Sequence, residues 1–153
     1  MMIYVDADAC PVRNVIECVA KEYNIPVTMI CDVNHAIHSD YSSVIVTEQG
    51  SDNVDLVLIN KVRKGDIVVS QDYGVATLAL GKGAYAIGNS GLVYTNDNID
   101  RLLFERFLGG KVRRSGSRGG RCTNPKKRTA QDDENFKKSF EQLCRTAQNN
   151  ENG

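Results

Sequence analysis

Asp6 and Asp8 stand just past the apolar run Ile3-Tyr4-Val5, and Asp72 stands just past a second run, Ile67-Val68-Val69. Carboxylates gathered at the ends of buried strands repel one another and titrate high unless a cation or hydrogen-bond donors neutralise them. A donor set made only of oxygen favours Mg²⁺ or Mn²⁺ over zinc. With a phosphate bound, such an ion would generate hydroxide and stabilise a pentavalent transition state. Asp52 and Asp55 open a later helix on the same expected edge and would complete the ligand set. The plainer alternative is structural: Asp6 ends a strand, Asp8 caps a helix, and Asp52 and Asp55 match a helix dipole.

For these acids to meet, the elements carrying them must lie side by side. Ile3–Val5 reads as a strand buried on both faces of a parallel sheet, and Pro11 suits the first position of the helix that follows. Val12, Val15, Ile16, Val19, Ala20 and Tyr23 form one helical stripe, closed by Asn24-Ile25-Pro26. Val27–Cys31 and Ser43–Thr47 are the next strands, separated by a polar stretch from Asp32 to Asp40. A helix carrying Val54, Val57, Leu58 and Val62 leads to the strand Ile67–Val69, and Tyr73–Leu80 is helical again. Ala84–Ile87 is a fifth strand, and Thr95-Asn96 caps a helix bearing Ile99, Leu102, Leu103 and Phe107.

Strands and helices alternating at these lengths predict a three-layer α/β fold with a mostly parallel five-stranded sheet. The natural strand order is 3-2-1-4-5, with the ligand crevice where the order reverses, between strands one and four. Those two strands carry Asp6, Asp8 and Asp72.

Charge divides the chain. Residues 1–100 hold six Lys/Arg against thirteen Asp/Glu, and residues 101–153 hold thirteen against six. An acidic, cation-seeking body joined to a basic segment suits a polyanionic partner, although a solvated tail folded against its own acidic body would show the same balance. The organisation expected is an α/β domain over residues 1–108. Residues 109–153 follow as a Gly-rich basic segment and a docked helix carrying Phe136, Phe140, Leu143, Cys144 and Ala147. Five cysteines, none in a Cys-x-x-Cys pair, read as reduced thiols of a cytoplasmic protein. Asp6 comes too early for a secretory signal, and no apolar run reaches membrane-spanning length. His35 and His38 lack a third ligand at fixed spacing. Cys122–Arg128 matches Cys-x5-Arg by chance, without a glycine nest or a preceding strand. Cys10, at a helix start, is read as packing, since no His is in view to activate it.

The segments VDADACPV, QGSDNVD, KGDIVVSQDYGVATLALGKGA, GLVYTNDNID and NPKKRTAQDDENF resemble the bacterial YaiI/YqxD family over nearly the whole chain. That family in turn resembles the PIN-like nucleases, parallel-sheet proteins whose clustered acids hold Mg²⁺ or Mn²⁺ and cleave RNA. The resemblance implies a metal-dependent ribonuclease. Asp6 matches the first-strand acid and Asp72 the fourth-strand acid, both as primary ligands. Asp52 or Asp55 stands near the helix acid, more usually glutamate, and Asp8 is an addition. Asp8, Asp52 and Asp55 would be second ligands or water-positioning bases. Arg113, Arg114, Arg118, Arg121, Lys126, Lys127 and Arg128 would hold the RNA backbone. That segment has no aromatic residue for base stacking.

Two rivals use the same residues. Asp6-Ala7-Asp8 also resembles the DxD motif of haloacid-dehalogenase-like phosphatases, with Asp6 as nucleophile, Asp8 as general acid, and Gly65-Asp66 with Asp72 echoing a late acidic motif. Cys10, Pro11 and the short chain depart from that pattern. The other rival is a non-catalytic RNA-binding module built on the basic segment.

Overall fold

A computed structural model of the chain describes residues 1–8, 10–35, 37–49, 51–114 and 128–152, with the backbone alone at 51, 52, 110–114 and 152. Its strands are β1 (Ile3–Asp6), β2 (Val27–Asp32), β3 (Ser43–Thr47), β4 (Ile67–Val69), β5 (Tyr85–Ile87) and β6 (Val93–Tyr94). The helices are α1 (Arg13–Glu22), α2 (Ser51–Lys61), α3 (Tyr73–Gly81), α4 (Asn96–Arg114) and α5 (Ala130–Asn152). All strands join one sheet in the order β3-β2-β1-β4-β5-β6, parallel except for the last pair.

The expected order holds for the first five strands, and β6 extends it to six. Two residues cannot display a period, so Val93–Tyr94 gave no strand signal. The hairpin that returns β6 against β5 depends on Gly91, whose φ is +94° and whose Cβ would lie 3.1 Å from the Asn135 carbonyl oxygen. Two other boundaries moved. Pro11 lies in the turn before α1, with Val12 as N-cap, because the chain first turns back through a Cys10 N–H to Ala7 carbonyl bond. Asp32, read as the start of a loop, is the last residue of β2.

Alternation along the strands sends side chains to two cores. Ile3, Val5, Val27, Met29, Ile67 and Val69 face α1 and α5. Ile30, Val68, Ala86 and Tyr94 face the opposite layer, where Val54 and Leu58 of α2, Val75 and Ala79 of α3 and Ile99 of α4 meet them. The stripe on α5 docks deeply. Phe136 and Phe140 are fully buried and stack with ring centroids 5.2 Å apart. The Ser139 hydroxyl donates to the Gly91 carbonyl at 2.6 Å, and the Gln148 amide donates to the Tyr23 carbonyl at 2.8 Å. Among the described residues, no helix is long and apolar enough to cross a membrane.

Candidate functional site

Register explains which acids meet. Val5 pairs with Val69, so the next residues outward, Asp6 and Ser70, lie beside each other at the carboxyl ends of β1 and β4. Asp6 pairs with Ile30, which brings Asp8 level with Asp32 two residues further on. The helix after β1 lies on one face of the sheet and the helix after β4 on the other, so the crevice between these strands is the topological switch point.

Asp6 is the electrostatic centre of this edge. Its carboxyl is pushed up to about 6, first by burial and next by the charge of Asp8, with Asp72 adding to the effect. The Ser70 hydroxyl donates to Asp6 Oδ2 at 3.4 Å and pulls the other way. The same hydroxyl accepts the Asp72 N–H at 3.0 Å, so it ties two of the acidic positions together. Asp72 is the N-cap of α3, where Oδ1 accepts from the N–H groups of Gly74 at 2.8 Å and Val75 at 3.2 Å. One carboxylate therefore serves both the helix start and the crevice.

The tightest grouping lies one strand over. Asp8, Asp32 and His35 bring ligand atoms within 4.8 Å of one another, and no other described acids, histidines or cysteines form such a triad. Asp8 Oδ1 accepts the Asp32 N–H at 3.2 Å. Asp32 is buried, and its Oδ1 takes the Asn34 N–H at 2.7 Å and faces His35 Nδ1 at 3.1 Å. Sequence reading missed Asp32, although Val27–Cys31 followed by aspartate repeats the pattern of an apolar strand running into an acid seen at β1 and β4. His35 belongs to the site, whereas His38 faces the exposed Asp40 at 3.8 Å.

The remaining candidates divide. Asp55 sits in α2, half-buried and outside the triad. The side chains of Asp52, Arg113 and Arg114, and all of Arg118, Arg121, Cys122, Lys126 and Lys127, lie outside the described residues. Arg128 is described. Its Nε donates to Asp133 at 2.6 Å and its Nη2 to the Asn89 carbonyl at 2.8 Å, so it braces the turn between β5 and β6. Asn89 in turn accepts the Cys10 thiol, which is buried and pushed up in pKa mainly by that burial, as a packing role requires. The Asn89 N–H donates to Gln71 Oε1, and a Cβ on Gly88 would lie 2.7 Å from that oxygen and 2.6 Å from the Tyr94 hydroxyl. Asp66 is at the opposite end of the sheet. It is buried, accepting the N–H groups of Met2 and Arg63, and cannot join Asp6 in a late acidic motif.

Fold and site together define a doubly wound α/β protein with an acidic crevice at its switch point. The chain belongs to the family described as uncharacterized BCR, YaiI/YqxD family, which it matches over residues 4–146. It is 54% identical over 143 residues to a UPF0178 protein of Clostridium acetobutylicum, covering 94% of this chain and 96% of that one. It is 55% identical to a UPF0178 protein of Clostridium tetani, covering 94% of each. A UPF0178 protein of Lachnoclostridium phytofermentans is 48% identical over 146 residues, 95% of this chain and 98% of its own length. No solved structure matches the chain significantly.

Proposed function

We propose that this protein is a divalent-metal-dependent ribonuclease whose centre is the crevice at the ends of β1 and β4. The observation that carries the reading is Asp6, partly buried, with Asp8 and Asp72 close enough to raise its carboxyl to about 6. Like charges held against an apolar core are costly, and a cation relieves that cost. The donor chemistry fits Mg²⁺ or Mn²⁺: carboxylate oxygens from Asp6, Asp8 and Asp72, with Asp32 and His35 beside them. When bound, such an ion supplies charge neutralisation at the phosphoryl oxygens and a more acidic water.

The chain's own groups have separate tasks in this reading. Asp6, titrating near neutrality, takes a proton from the attacking water. Ser70 orients the Asp6 carboxyl, and Asp72 presents its charge from the fixed start of α3. Asp52 and Asp55 stand as further acids at the start of α2. Lys and Arg residues of 113–128 supply sequence-tolerant contacts to the RNA backbone. Arg128 would do so only by leaving Asp133.

Incubation with mixed single-stranded RNA and Mn²⁺ tests the proposal. Cleavage is expected from the wild type and abolished in the Asp6→Asn, Asp72→Asn double variant. Cleavage that survives in the double variant, or a wild type inert with both Mn²⁺ and Mg²⁺, overturns it. Salt-sensitive RNA binding by an inert protein would establish the binding-module reading instead.

A further inference from the structure

A cleft of about 300 Å³ opens beside the acidic crevice, lined by Gln71, Tyr73, Leu102, Glu105 and Arg106. Gln71 and Tyr73 flank Asp72 in sequence, so the cleft begins where the candidate site ends. The Arg106 guanidinium lies over the Tyr73 ring, 5.7 Å from its centroid. Tyr73 is held edge-on against Tyr94 at 5.8 Å, which fixes the ring that Arg106 covers. Glu105 is the one acid on this wall, and Arg101 faces it at 3.9 Å.

The same helix continues past the cleft with its apolar side uncovered. Phe104 and Phe107 are 59% and 58% exposed, and Leu103 and Leu108 are also open. An exposed aromatic pair with a cation one residue away suits neither a folded core nor the charge-depleted centre of a protein interface. It does suit a strand whose bases need flat apolar faces and whose phosphates need cations. Charge agrees, since residues 101–153, where α4 stands, hold thirteen Lys/Arg against six Asp/Glu.

We propose that the Tyr73–Arg106 cleft and the exposed face of α4 bind a single-stranded polynucleotide, with a base on the Tyr73 side and a flanking phosphate on Arg106. The identity of the ligand rests on the phosphodiester reading of the adjacent crevice; the cleft itself does not. Unpaired bases present the faces that stacking requires, whereas a duplex keeps its bases stacked on one another. This supplies the aromatic component that the basic segment lacks.

Fluorescence anisotropy of labelled oligo(U), oligo(dT) and a short RNA duplex, read in EDTA with the full-length protein, tests the proposal without needing cleavage. Both single strands are expected to bind more tightly than the duplex, and the comparison of oligo(U) with oligo(dT) tells RNA from DNA. Arg106→Ala should weaken binding about tenfold and lower the salt slope by about one. Tyr73→Leu should weaken it about tenfold, with Tyr73→Phe near wild type. Arg106 is exposed, so its variant reads the cleft even if Tyr73→Leu unfolds. Unchanged affinity in Arg106→Ala and in a folded Tyr73→Leu overturns the proposal, as does equal binding of the duplex. A dimer in sedimentation that Phe104→Ser with Phe107→Ser converts to monomer would assign the face to a second copy and also overturn it. Binding through Tyr73 and Arg106 by a protein that never cleaves RNA would leave the cleft and remove the nuclease. Cleavage with both variants at wild-type affinity would do the reverse.

Discussion

Ser70 donates its hydroxyl to Asp6 Oδ2 at 3.4 Å. The two residues are adjacent in space because β1 and β4 pair in register, although sixty-four positions separate them in the chain. This bond is the main local stabiliser of a carboxylate that burial and two neighbouring acids destabilise. Removing the charge and removing the bond therefore have opposite consequences.

Asp6→Asn should stabilise the protein above neutral pH. The folded-state value of about 6 exceeds the ordinary 3.8, so the folded protein holds a proton that the unfolded chain has already released. Stability is thus lost as pH rises from about 4 to about 6, and the penalty is complete above that window. With one unit worth about 1.4 kcal/mol, an advantage of about 1–2 kcal/mol is expected for the variant near pH 7.5, fading to nothing near pH 4. Urea denaturation across that range measures it, and a difference independent of pH would refute the assignment. Ser70→Ala should raise the Asp6 value further, read by carboxyl NMR titration.

Asp72 carries a structural and an electrostatic duty, and two substitutions separate them. Asp72→Ala removes the cap on Gly74 and Val75 and should cost about 0.5–2 kcal/mol. Asp72→Asn keeps an accepting oxygen, so its thermal midpoint should stay near wild type while the negative charge is gone. Equal midpoints for the two variants would show that the cap contributes nothing.

Phe136→Ala should destabilise the whole domain by about 3–5 kcal/mol, because the side chain is fully buried and stacked on Phe140. Denaturant unfolding followed by far-UV circular dichroism gives the number. An unchanged midpoint would mean that α5 lies outside the cooperative unit.

Much of the fold could be read from the chain because apolar runs and helical stripes are local signals. Ser43–Thr47 and Ile67–Val69 were read with their observed limits. What was missed was either too short or ambiguous at a boundary. Val93–Tyr94 spans two residues, and Asp32 looked like the first residue of a polar loop when its backbone still pairs with Thr47 of β3. The site followed the same rule. Asp6 and Asp72 were readable as acids ending strands, while Ser70 and His35 had no local mark of function.

By itself the sequence determined the layers, the order of the first five strands and the edge on which acids would collect. Periodicity and strand-end chemistry are properties of neighbouring residues, so they survive in one dimension. Only tertiary structure decided which acids share a boundary. Cross-strand register places Asp6 against Ser70 and Asp8 against Asp32, and it holds Asp66 at the far end of the sheet. Register depends on pairing between distant segments, and a shift of one residue would turn each side chain to the other face.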